Sequence, residues 1–484
     1  MTTSTTSSIG DALRWHAEAD PHAIAITDST GSITRAELEL ASSRYAELLV
    51  DRGVAVDDLV SVRLPNTIEF VVACAAIWKA GATPQPLSHR FAAAEQRAVV
   101  ELADSRLVLG ADAHEFPGRS TIPAGVDTRH YAGEYLPGLA ARSWKAPTSS
   151  GSTGRPKIVL AAAPARFDPE GRVAAFIPQR AVQLVAGPLY HSAPFTYAMR
   201  GLMTGHRLVL LPRFDAQAWL DAVATHRVSW AMVVPTMMHR IWQLPADQRA
   251  ATDLSSLEAI MHIGAPCAPW LKRAWIDWLG AERIVEVYAG SESAGLTTIR
   301  GDEWMLHPGS VGRPVGGSEM RVVDPTGQPV PTGTAGLVQM RRSGGATYSY
   351  LGATTSLQDG WDTLGDRGSM DADGYLYIVD RNDDLIVTGG VNVYPIEVEQ
   401  ALERHPGIRS AIVVGVDDAD LGQRVHAVID TGTAAPLDSL AVMGWLAGQL
   451  DTEKHPRTLQ FVTTPLRDDA GKVRRRDHIP AATD

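Results

Sequence analysis

The chain has 484 residues, of which 20% are charged and 45% are hydrophobic, and its formal net charge is −11. This composition is typical of a folded globular protein with more than one domain and excludes a mainly disordered chain. The negative charge argues against general binding of nucleic acids or of anionic membranes, since both require a basic surface.

The first segment, residues 1–8, is polar and has neither the basic nor the apolar part of a signal peptide. The best apolar run, residues 70–78, is too short for a membrane span, which needs roughly 20 residues, and predicts a buried helix. Cys74 and Cys267 are isolated in the sequence and predict no disulfide or CxxC metal site within the chain. We therefore expect a cytoplasmic protein without a membrane span.

Short β-branched runs alternate with helical patterns through the first three fifths of the chain. Strands are predicted at 59–64, 106–109, 207–211 and 230–234, and helices at 67–79 and 215–226. This alternation is typical of parallel sheets covered by helices. From about residue 310 the pattern changes to short strands and turns, as at 320–323 and 336–340, which predicts a small β-rich subdomain.

A polar link at 380–384 follows the predicted strand 375–379 and marks a domain boundary. Beyond it we predict helices at 395–404 and 437–450 and strands at 410–414 and 424–429. The fold class is thus α/β, with an N-terminal domain over 1–380 and a small, mobile α+β C-terminal domain over 381–484.

Residues 148–157 read Thr-Ser-Ser-Gly-Ser-Thr-Gly-Arg-Pro-Lys. Glycines let backbone N–H groups approach phosphate oxygens, hydroxyls donate further hydrogen bonds, and Lys157 supplies a positive charge. The stretch is not a Walker A loop, because Pro156 and Ile158 replace the required Gly and Ser/Thr. Ser/Gly-rich stretches also occur as linkers, but the ordered Thr-Gly-x-Pro-Lys ending favours a phosphate-binding loop.

This loop resembles the phosphate loop of the acyl-adenylating (AMP-binding) superfamily of acyl-CoA synthetases, peptide-synthetase adenylation domains and beetle luciferases. Further stretches resemble the family's motifs in the expected order, namely Gly264–Pro266, Tyr288–Glu292, Gly360–Asp366, Asp380–Glu399 and Gly471-Lys472. The resemblance covers residues 10 to 476 and is to the acyl-CoA synthetase branch. It implies a ligase that uses ATP, Mg²⁺ and CoA and forms an acyl adenylate.

The resemblance also implies a nucleotide site. The residues expected to bind ATP or AMP are Thr148, Ser149, Ser150, Gly151, Ser152, Thr153, Gly154, Lys157, Gly264, Ala265, Pro266, Val287, Tyr288, Ala289, Ser291, Asp366, Arg381 and Lys472. Adenine would lie between the 264–266 backbone and Tyr288, Asp366 would accept hydrogen bonds from the ribose, and Glu292 would hold Mg²⁺. Ser291 and Leu364 depart from the family pattern, since each replaces its usual threonine.

The catalytic residues implied by the resemblance are Lys472, Glu292, Thr153, Lys157 and His191. Lys472 would bridge the attacking carboxylate and the α-phosphate as negative charge develops.

A mobile C-terminal domain is also implied by the resemblance. Asp383 matches the hinge about which that domain rotates after adenylation. Gly389, Gly390 and Arg475 would then line the path of the CoA pantetheine arm. Lys472 with Arg474, Arg475 and Arg476 forms a basic corner in an otherwise acidic domain.

The acid substrate is indicated by residues 187–195, which resemble the family's Pro-x-x-His motif. The stretch lacks the Asp with which peptide-synthetase domains hold an α-ammonium, which argues against an amino acid. Candidate pocket residues are Tyr190, His191, Val234, Pro235, Met237, Gly264 and Gly290. They place no cation for a second carboxylate, so we predict a hydrophobic monocarboxylic acid, with some resemblance to ligases of bulky polycyclic acids.

Two alternatives stay open. A carrier protein could replace CoA as acceptor, although the short spacing between Asp366 and Arg381 leaves no room for the insertion common in fatty-acyl-AMP ligases. The chain could also be a catalytically silent binding homologue, although such a homologue need not keep all four of Lys157, Glu292, Asp366 and Lys472. Finally, segment 158–171 departs from the family pattern and is expected to shape either the substrate entrance or a homodimer contact.

Overall fold

The computed structural model describes residues 6–134, 137–150, 156–355, 357, 359–381, 384–389, 391–418, 420–432, 437–469 and 471–480, with only the backbone at Ser150, Asp380 and Arg381. The described helices are α1 (Ile9–Ala19), α2 (Arg35–Asp51), α3 (Ile68–Lys79), α4 (Ala93–Leu102), α5 (Ser192–Met203), α6 (Ala216–His226), α7 (Pro235–Trp242), α8 (Ala246–Ala251), α9 (Pro269–Leu279), α10 (Gly301–Leu306), α11 (Pro395–Glu403) and α12 (Ser439–Ala447).

The described strands of the N-terminal part, to residue 381, are β1 (Ser7–Ser8), β2 (Ile24–Asp28), β3 (Gly31–Thr34), β4 (Leu59–Val62), β5 (Thr83–Pro86), β6 (Leu107–Leu109), β7 (Ser120–Ile122), β8 (Thr148–Ser150), β9 (Pro156–Ala161), β10 (Arg166–Phe167), β11 (Val182–Val185), β12 (Arg207–Leu210), β13 (Trp230–Val233), β14 (Ala259–Ile263), β15 (Ile284–Ala289), β16 (Leu296–Arg300), β17 (Arg313–Pro314), β18 (Ser318–Val323), β19 (Gly336–Arg342), β20 (Tyr348–Leu351), β21 (Asp366–Met370) and β22 (Leu376–Arg381). Those that follow are β23 (Ile386–Thr388), β24 (Val391–Val393), β25 (Ser410–Asp418), β26 (Gly422–Asp430) and β27 (Thr458–Val462).

The largest sheet has the strand order β17-β16-β15-β14-β13-β11-β12-β2-β3. Its central strands, from β15 to β2, are parallel, and antiparallel strands flank them on both edges. The central strands are almost fully buried, as expected for a parallel sheet covered by helices on both faces. The carboxyl ends of β11, β13, β14 and β15 therefore meet at one edge, where open α/β sheets bind ligands.

A second parallel sheet, β5-β4-β6-β7, stands beside the first. Helix α3 is buried along nearly its whole length between these sheets, which confirms that the apolar run 70–78 is a core helix. The hairpin β8–β9 carries the glycine-rich loop and continues into β20 as a three-stranded antiparallel sheet. The antiparallel sheet β18-β19-β21-β22 forms the predicted β-rich subdomain.

The last part of the chain has its own sheet, β24-β23-β26-β25, with β27 parallel to β26. Helices α11 and α12 pack against it around a separate apolar core that includes Val398, Val413 and Leu446. This core draws only on residues after 385, which is what an independent α+β domain requires.

The predicted elements agree with the structure to within a few residues. The predicted helix 395–404 is α11, and the predicted strand 230–234 is β13. The predicted strands 410–414 and 424–429 are shorter than the observed ones, because β25 and β26 continue together as a hairpin through Asp418 and Gly422. Within the part of the chain that the structure describes, no helix is long and apolar enough to cross a membrane.

Candidate active site

The glycine-rich stretch begins in β8 and ends in β9. Ser149 stands opposite Lys157 in the hairpin, and the Thr148 hydroxyl accepts a 2.9 Å hydrogen bond from Gln85 Nε2. The predicted phosphate-binding residues Gly151, Ser152, Thr153 and Gly154 lie outside the described residues, as do Asp383 and Gly390. The strands thus place the two ends of the loop beside each other at the rim of the site.

Lys157 and Glu292, which are far apart in sequence, are brought together with a tyrosine that the sequence did not indicate. The Lys157 ammonium lies 3.2 Å from Glu292 Oε1 and donates a 2.7 Å hydrogen bond to the Tyr350 hydroxyl. That hydroxyl in turn donates to Glu292 Oε1 over 2.7 Å. Burial and the Glu292 carboxylate raise the pKa of Tyr350 well above its ordinary value, so it stays a donor.

Gly290 stands where a side chain would not fit. A Cβ atom there would overlap the side chain of Leu364 and lie 2.9 Å from Glu292 Oε2. Glu292 is 8% exposed, so its carboxylate is enclosed but reachable from the site. Carboxylate oxygens are the ligands that Mg²⁺ prefers, and Glu292 beside a lysine and a phosphate-loop hairpin fits the predicted Mg²⁺ and ATP phosphates.

The predicted adenine and ribose residues lie at the ends of β14, β15 and β21. Gly264, Ala265 and Pro266 follow β14 directly, and Val287 in β15 stands opposite Ile263 in β14. The Tyr288 hydroxyl donates a 2.6 Å hydrogen bond to Asp366 Oδ2. The backbone of Asp366 pairs with that of Arg381 across β21 and β22. Ala289 ends β15, and Ser291 is half-buried in the turn that follows.

Lys472 reaches across from the C-terminal domain. Its ammonium donates to the backbone carbonyl of Gly264 over 3.3 Å. The preceding Gly471 has φ +73°, a conformation that favours glycine, and a Cβ there would lie 3.3 Å from Thr236 Oγ1 of the N-terminal domain. A glycine thus lets this turn approach the site closely enough to deliver the lysine.

Exposed ion pairs accompany that contact. Arg90 Nη1 lies 2.8 Å from Asp469 Oδ2, and Arg474 Nη2 lies 2.5 Å from Glu95 Oε1. Each such pair contributes about 0–1 kcal/mol. These ion pairs therefore hold the two domains together only weakly.

His191 also faces the C-terminal domain. It is the N-cap residue of α5, and its Nε2 lies 3.3 Å from Asp468 Oδ2. Its ring packs on that of Tyr190, with centroids 4.6 Å apart. The predicted motif residue therefore lies at the junction of the two domains.

Of the other predicted pocket residues, Val234 lies beside Gly264 at the site, whereas Met237 lies in the core below it. Val234, the N-cap residue of α7, approaches Gly264, where a Cβ would lie 3.8 Å from Val234 Cγ1. Pro235 opens α7, and Met237 is buried in the core cluster beneath it with Met238 and Trp275.

A further apolar cluster lies on the other face of the main sheet. It includes Ile263 and Val287, and Ala193 and Tyr197 of α5 pack against it. Sequence reasoning missed this face of α5 because no motif marks it.

Two cations behind this face were also missed. Lys145 is 4% exposed, and its ammonium donates hydrogen bonds to Thr196 Oγ1 over 2.6 Å and to Ser192 Oγ over 3.3 Å. Burial, reinforced by Arg200 and partly offset by Glu292, lowers the pKa of Lys145 to about 7. The Arg200 Nε atom is buried without a hydrogen-bond partner.

Of the residues predicted to line the CoA path, the structure describes Gly389 and Arg475. Gly389 has φ +57°, and its N–H donates to the Leu421 carbonyl over 2.9 Å. Arg475 is held within the C-terminal domain by Asp384 at 3.0 Å, by the Val413 carbonyl at 2.8 Å and by Glu399. The charges of Arg474 and Arg475 are therefore already compensated in this arrangement of the domains.

Segment 158–171 contains no helix among its residues, all of which the structure describes. Its β10 strand pairs antiparallel with β1, so that Phe167 stands opposite Ser7. Further along, Val173, Phe176 and Ile177 pack into the cluster that contains Ile263. Residues 158–177 thus form a wall beside α5, which Phe167 approaches at Arg200.

Comparison with known proteins identifies the architecture. The family model described as AMP-binding enzyme matches residues 13–135 and 146–350, and that of the AMP-binding enzyme C-terminal domain matches residues 397–472. The chain belongs to the AMP-binding enzyme family. The predicted family is thereby confirmed.

Among the curated relatives of this AMP-binding enzyme is a feruloyl-CoA synthase from Amycolatopsis, 31% identical over 94% of this chain and 95% of the relative. Another is a 3-[(3aS,4S,7aS)-7a-methyl-1,5-dioxo-octahydro-1H-inden-4-yl]propanoyl:CoA ligase from Mycobacterium tuberculosis, 31% identical over 91% of this chain and 92% of the relative.

A solved structure with the same fold is the o-succinylbenzoate CoA synthetase of Bacillus subtilis with its acyl-adenylate intermediate. Its TM-score is 0.84 at 24% identity, with 99% of both chains covered. The predicted α/β fold and the enzyme class, an ATP-dependent acid–thiol ligase of the CoA-ligase type, are confirmed.

Proposed function

We propose that this enzyme activates a carboxylic acid with an apolar body as its adenylate, using Mg·ATP, and then transfers the acyl group to CoA. The observation that carries the proposal is the position of Lys472. Its ammonium comes from the C-terminal domain and contacts the Gly264 carbonyl at the carboxyl edge of the main sheet.

In the first step an oxygen of the acid attacks the α-phosphorus of ATP, and the bond from that phosphorus to the bridging oxygen of pyrophosphate breaks. Lys472 donates to the oxygens on which charge develops. Lys157 neutralises the phosphates, and Glu292 would hold Mg²⁺, which supplies further charge stabilisation when bound. Tyr350 fixes the Glu292 carboxylate and the Lys157 ammonium relative to each other.

In the second step the thiol of CoA attacks the acyl carbon, and AMP leaves with the electron pair of the bond that breaks. We propose that the C-terminal domain rotates before this step about Asp383. The contacts that must separate are the exposed pairs of Arg90 and Arg474 and the contact of His191 with Asp468. Gly389 and Gly390 would then replace Lys472 at the site.

A carrier protein is the second candidate acceptor. β21 and β22 join directly through a turn at 371–375, so the space between Asp366 and Arg381 holds no insertion. This supports CoA. The relatives named above, which are CoA ligases, favour the same acceptor.

The test is a panel of hydrophobic acids assayed for pyrophosphate release with and without CoA, with Lys472→Ala as the inactive reference. We expect release that depends on the acid and thioester formation only when CoA is present. Release without any acyl-CoA would favour a carrier protein, and no release with any acid would contradict the proposed function.

Two further proposals concern the enzyme's setting. We infer a cytoplasmic location, since CoA and ATP are found there, and a homodimer is expected if segment 158–171 makes a subunit contact. Light scattering of the purified protein tests the second, and fractionation of the producing cells tests the first.

A further inference from the structure

We propose that Lys145 and Arg200 bind a second anionic group of the acid substrate, a carboxylate or sulfonate. The inference rests on the proposed function and names the substrate class of the same site. The pocket residues predicted from the sequence include no lysine or arginine that could bind such a group.

Within the described residues, neither Lys145 nor Arg200 has an aspartate or glutamate within ion-pair distance, whereas the other buried lysines, Lys79 and Lys272, are paired at 2.8 and 2.6 Å. Buried charges in folded proteins are normally paired, because an isolated charge loses its hydration without compensation. An anionic ligand would supply the missing partner.

The Lys145 ammonium and the Arg200 guanidinium are neighbours. The Lys145 ammonium lies 5.2 Å from the centroid of the Trp144 ring, and the Arg200 guanidinium carbon lies 5.9 Å from the centroid of the same ring. Their mutual repulsion is one cause of the lowered pKa of Lys145. The Glu292 carboxylate acts on Lys145 only from beyond ion-pair distance, and two like charges this close favour a shared anion.

Arg200 and the Lys145 partner Thr196 lie on a face of α5 that also carries apolar contacts. Ala193, Thr196, Tyr197 and Arg200 are spaced by three and four residues, so they share one face of α5. Ala193 and Tyr197 pack on the cluster that contains Ile263, and Thr196 contacts Lys145. The cations therefore lie along the same face of α5 as the residues that pack on this apolar cluster.

Arg200 lies at a distance from the reacting centre that can be read along α5. His191, at the start of α5, contacts the loop that delivers Lys472, and Arg200 follows nine residues later, or roughly 13 Å along the helix axis. An acid that reaches Arg200 must therefore have an apolar body between its two charged ends. Phe167 of the wall segment, 5.9 Å from Arg200, would border that body.

The experiment compares acids that differ by one charge. In the first set, each straight-chain monocarboxylic acid of six to twelve carbons is compared with the α,ω-dicarboxylic acid of the same length. In the second, 3-phenylpropanoate is compared with 3-(4-carboxyphenyl)propanoate. We expect the wild-type enzyme to favour the diacid of at least one pair by about tenfold or more in kcat/KM for pyrophosphate release, the factor that one charged hydrogen bond contributes. Lys145→Met and Arg200→Met should each remove that preference and leave the monocarboxylic acid unaffected.

The matched control is Arg249→Met, which removes another arginine that stacks on a tryptophan, at 3.9 Å from Trp242, remote from this site. It should leave both kcat/KM values unchanged. The proposal is overturned if monocarboxylic acids react and no diacid is preferred, if 3-(4-acetylphenyl)propanoate equals its carboxylate analogue, or if the Lys145 and Arg200 variants reduce both acids equally. The wild-type comparison decides the matter even if a variant does not fold.

A failure of the proposed function gives a different result. If no acid supports pyrophosphate release, calorimetry measures binding of the same acids to the enzyme with AMP present. Diacid binding that is lost in Lys145→Met would support the anion site while contradicting the ligase activity. Absence of any preferential diacid binding would overturn the anion site as well.

Discussion

Replacing Lys145 with methionine should stabilise the protein at low pH and much less at high pH. The lysine is almost completely buried, has hydroxyls but no described carboxylate as partners, and has a pKa of about 7 instead of 10.5. Because folding lowers this pKa, the charged form is disfavoured in the folded state. The cost is fully present below pH 7 and disappears as the pH rises towards 10.5.

The magnitude follows from the two pKa values. At 1.36 kcal/mol per pKa unit, the cost approaches roughly 5 kcal/mol at pH 6 and falls to about 1.5 kcal/mol at pH 9.5. The packing and the hydroxyl hydrogen bonds that Lys145→Met removes change little with pH, so the advantage of the variant should fall by about 3 kcal/mol over this interval. Urea unfolding followed by tryptophan fluorescence at both pH values measures the difference.

The control is Lys79→Met, at a lysine that is equally buried but lies 2.8 Å from Glu39. Its removal leaves a carboxylate without its partner and should destabilise the protein at both pH values. A Lys145→Met variant that is less stable than wild type at pH 6, or whose difference from wild type is the same at both pH values, would refute the reasoning.

Three further predictions concern catalysis. Lys472→Ala should slow pyrophosphate release by about 10²–10³-fold while leaving thioester formation from added acyl adenylate near the wild-type rate; equal loss of both steps would contradict its assigned role. Tyr350→Phe should raise the Mg²⁺ concentration needed for half-maximal rate by about tenfold without changing the KM of the acid, because the hydroxyl that orients Glu292 is lost; an unchanged Mg²⁺ titration would argue against that role. Asp469→Asn removes the partner of Arg90. The adenylation rate of this variant should depend less on ionic strength than that of the wild type, while the rate of thioester formation should keep its wild-type dependence. An adenylation rate with the wild-type dependence on ionic strength would show that this ion pair does not hold the C-terminal domain in place.

Much of the fold was predictable because periodicity reports burial directly. The alternation of β-branched strands and amphipathic helices places β12, β13 and α6 correctly, since parallel strands buried on both faces are apolar throughout. The lengths of β25 and β26 could not be predicted in this way, because the outer halves of these strands are largely polar and are held by pairing with each other.

The proximity of motif residues was predictable from the sequence, since the fold brings Lys157 beside Glu292 and Lys472 to the Gly264 carbonyl, while the roles of these residues stay predictions. Tyr350 was not, because it enters the site through the pairing of β20 with β9, which no local pattern reveals. Lys145 and Arg200 carried a weaker signal. Arg200 is a single cation within a largely apolar helix, and Lys145 stands between Trp144 and Ala146; a charge among apolar neighbours indicates a buried partner or a ligand.

The pairing of β1 with β10 links the start of the described chain to the wall of the substrate region. Ser7 and Ser8 hold Arg166 and Phe167 in register, and Phe167 lies against Arg200. An affinity tag fused ahead of Ser7 would therefore act on a strand that borders the proposed anion site. Preparations tagged at opposite ends of the chain should be compared before any substrate preference is attributed to the enzyme itself.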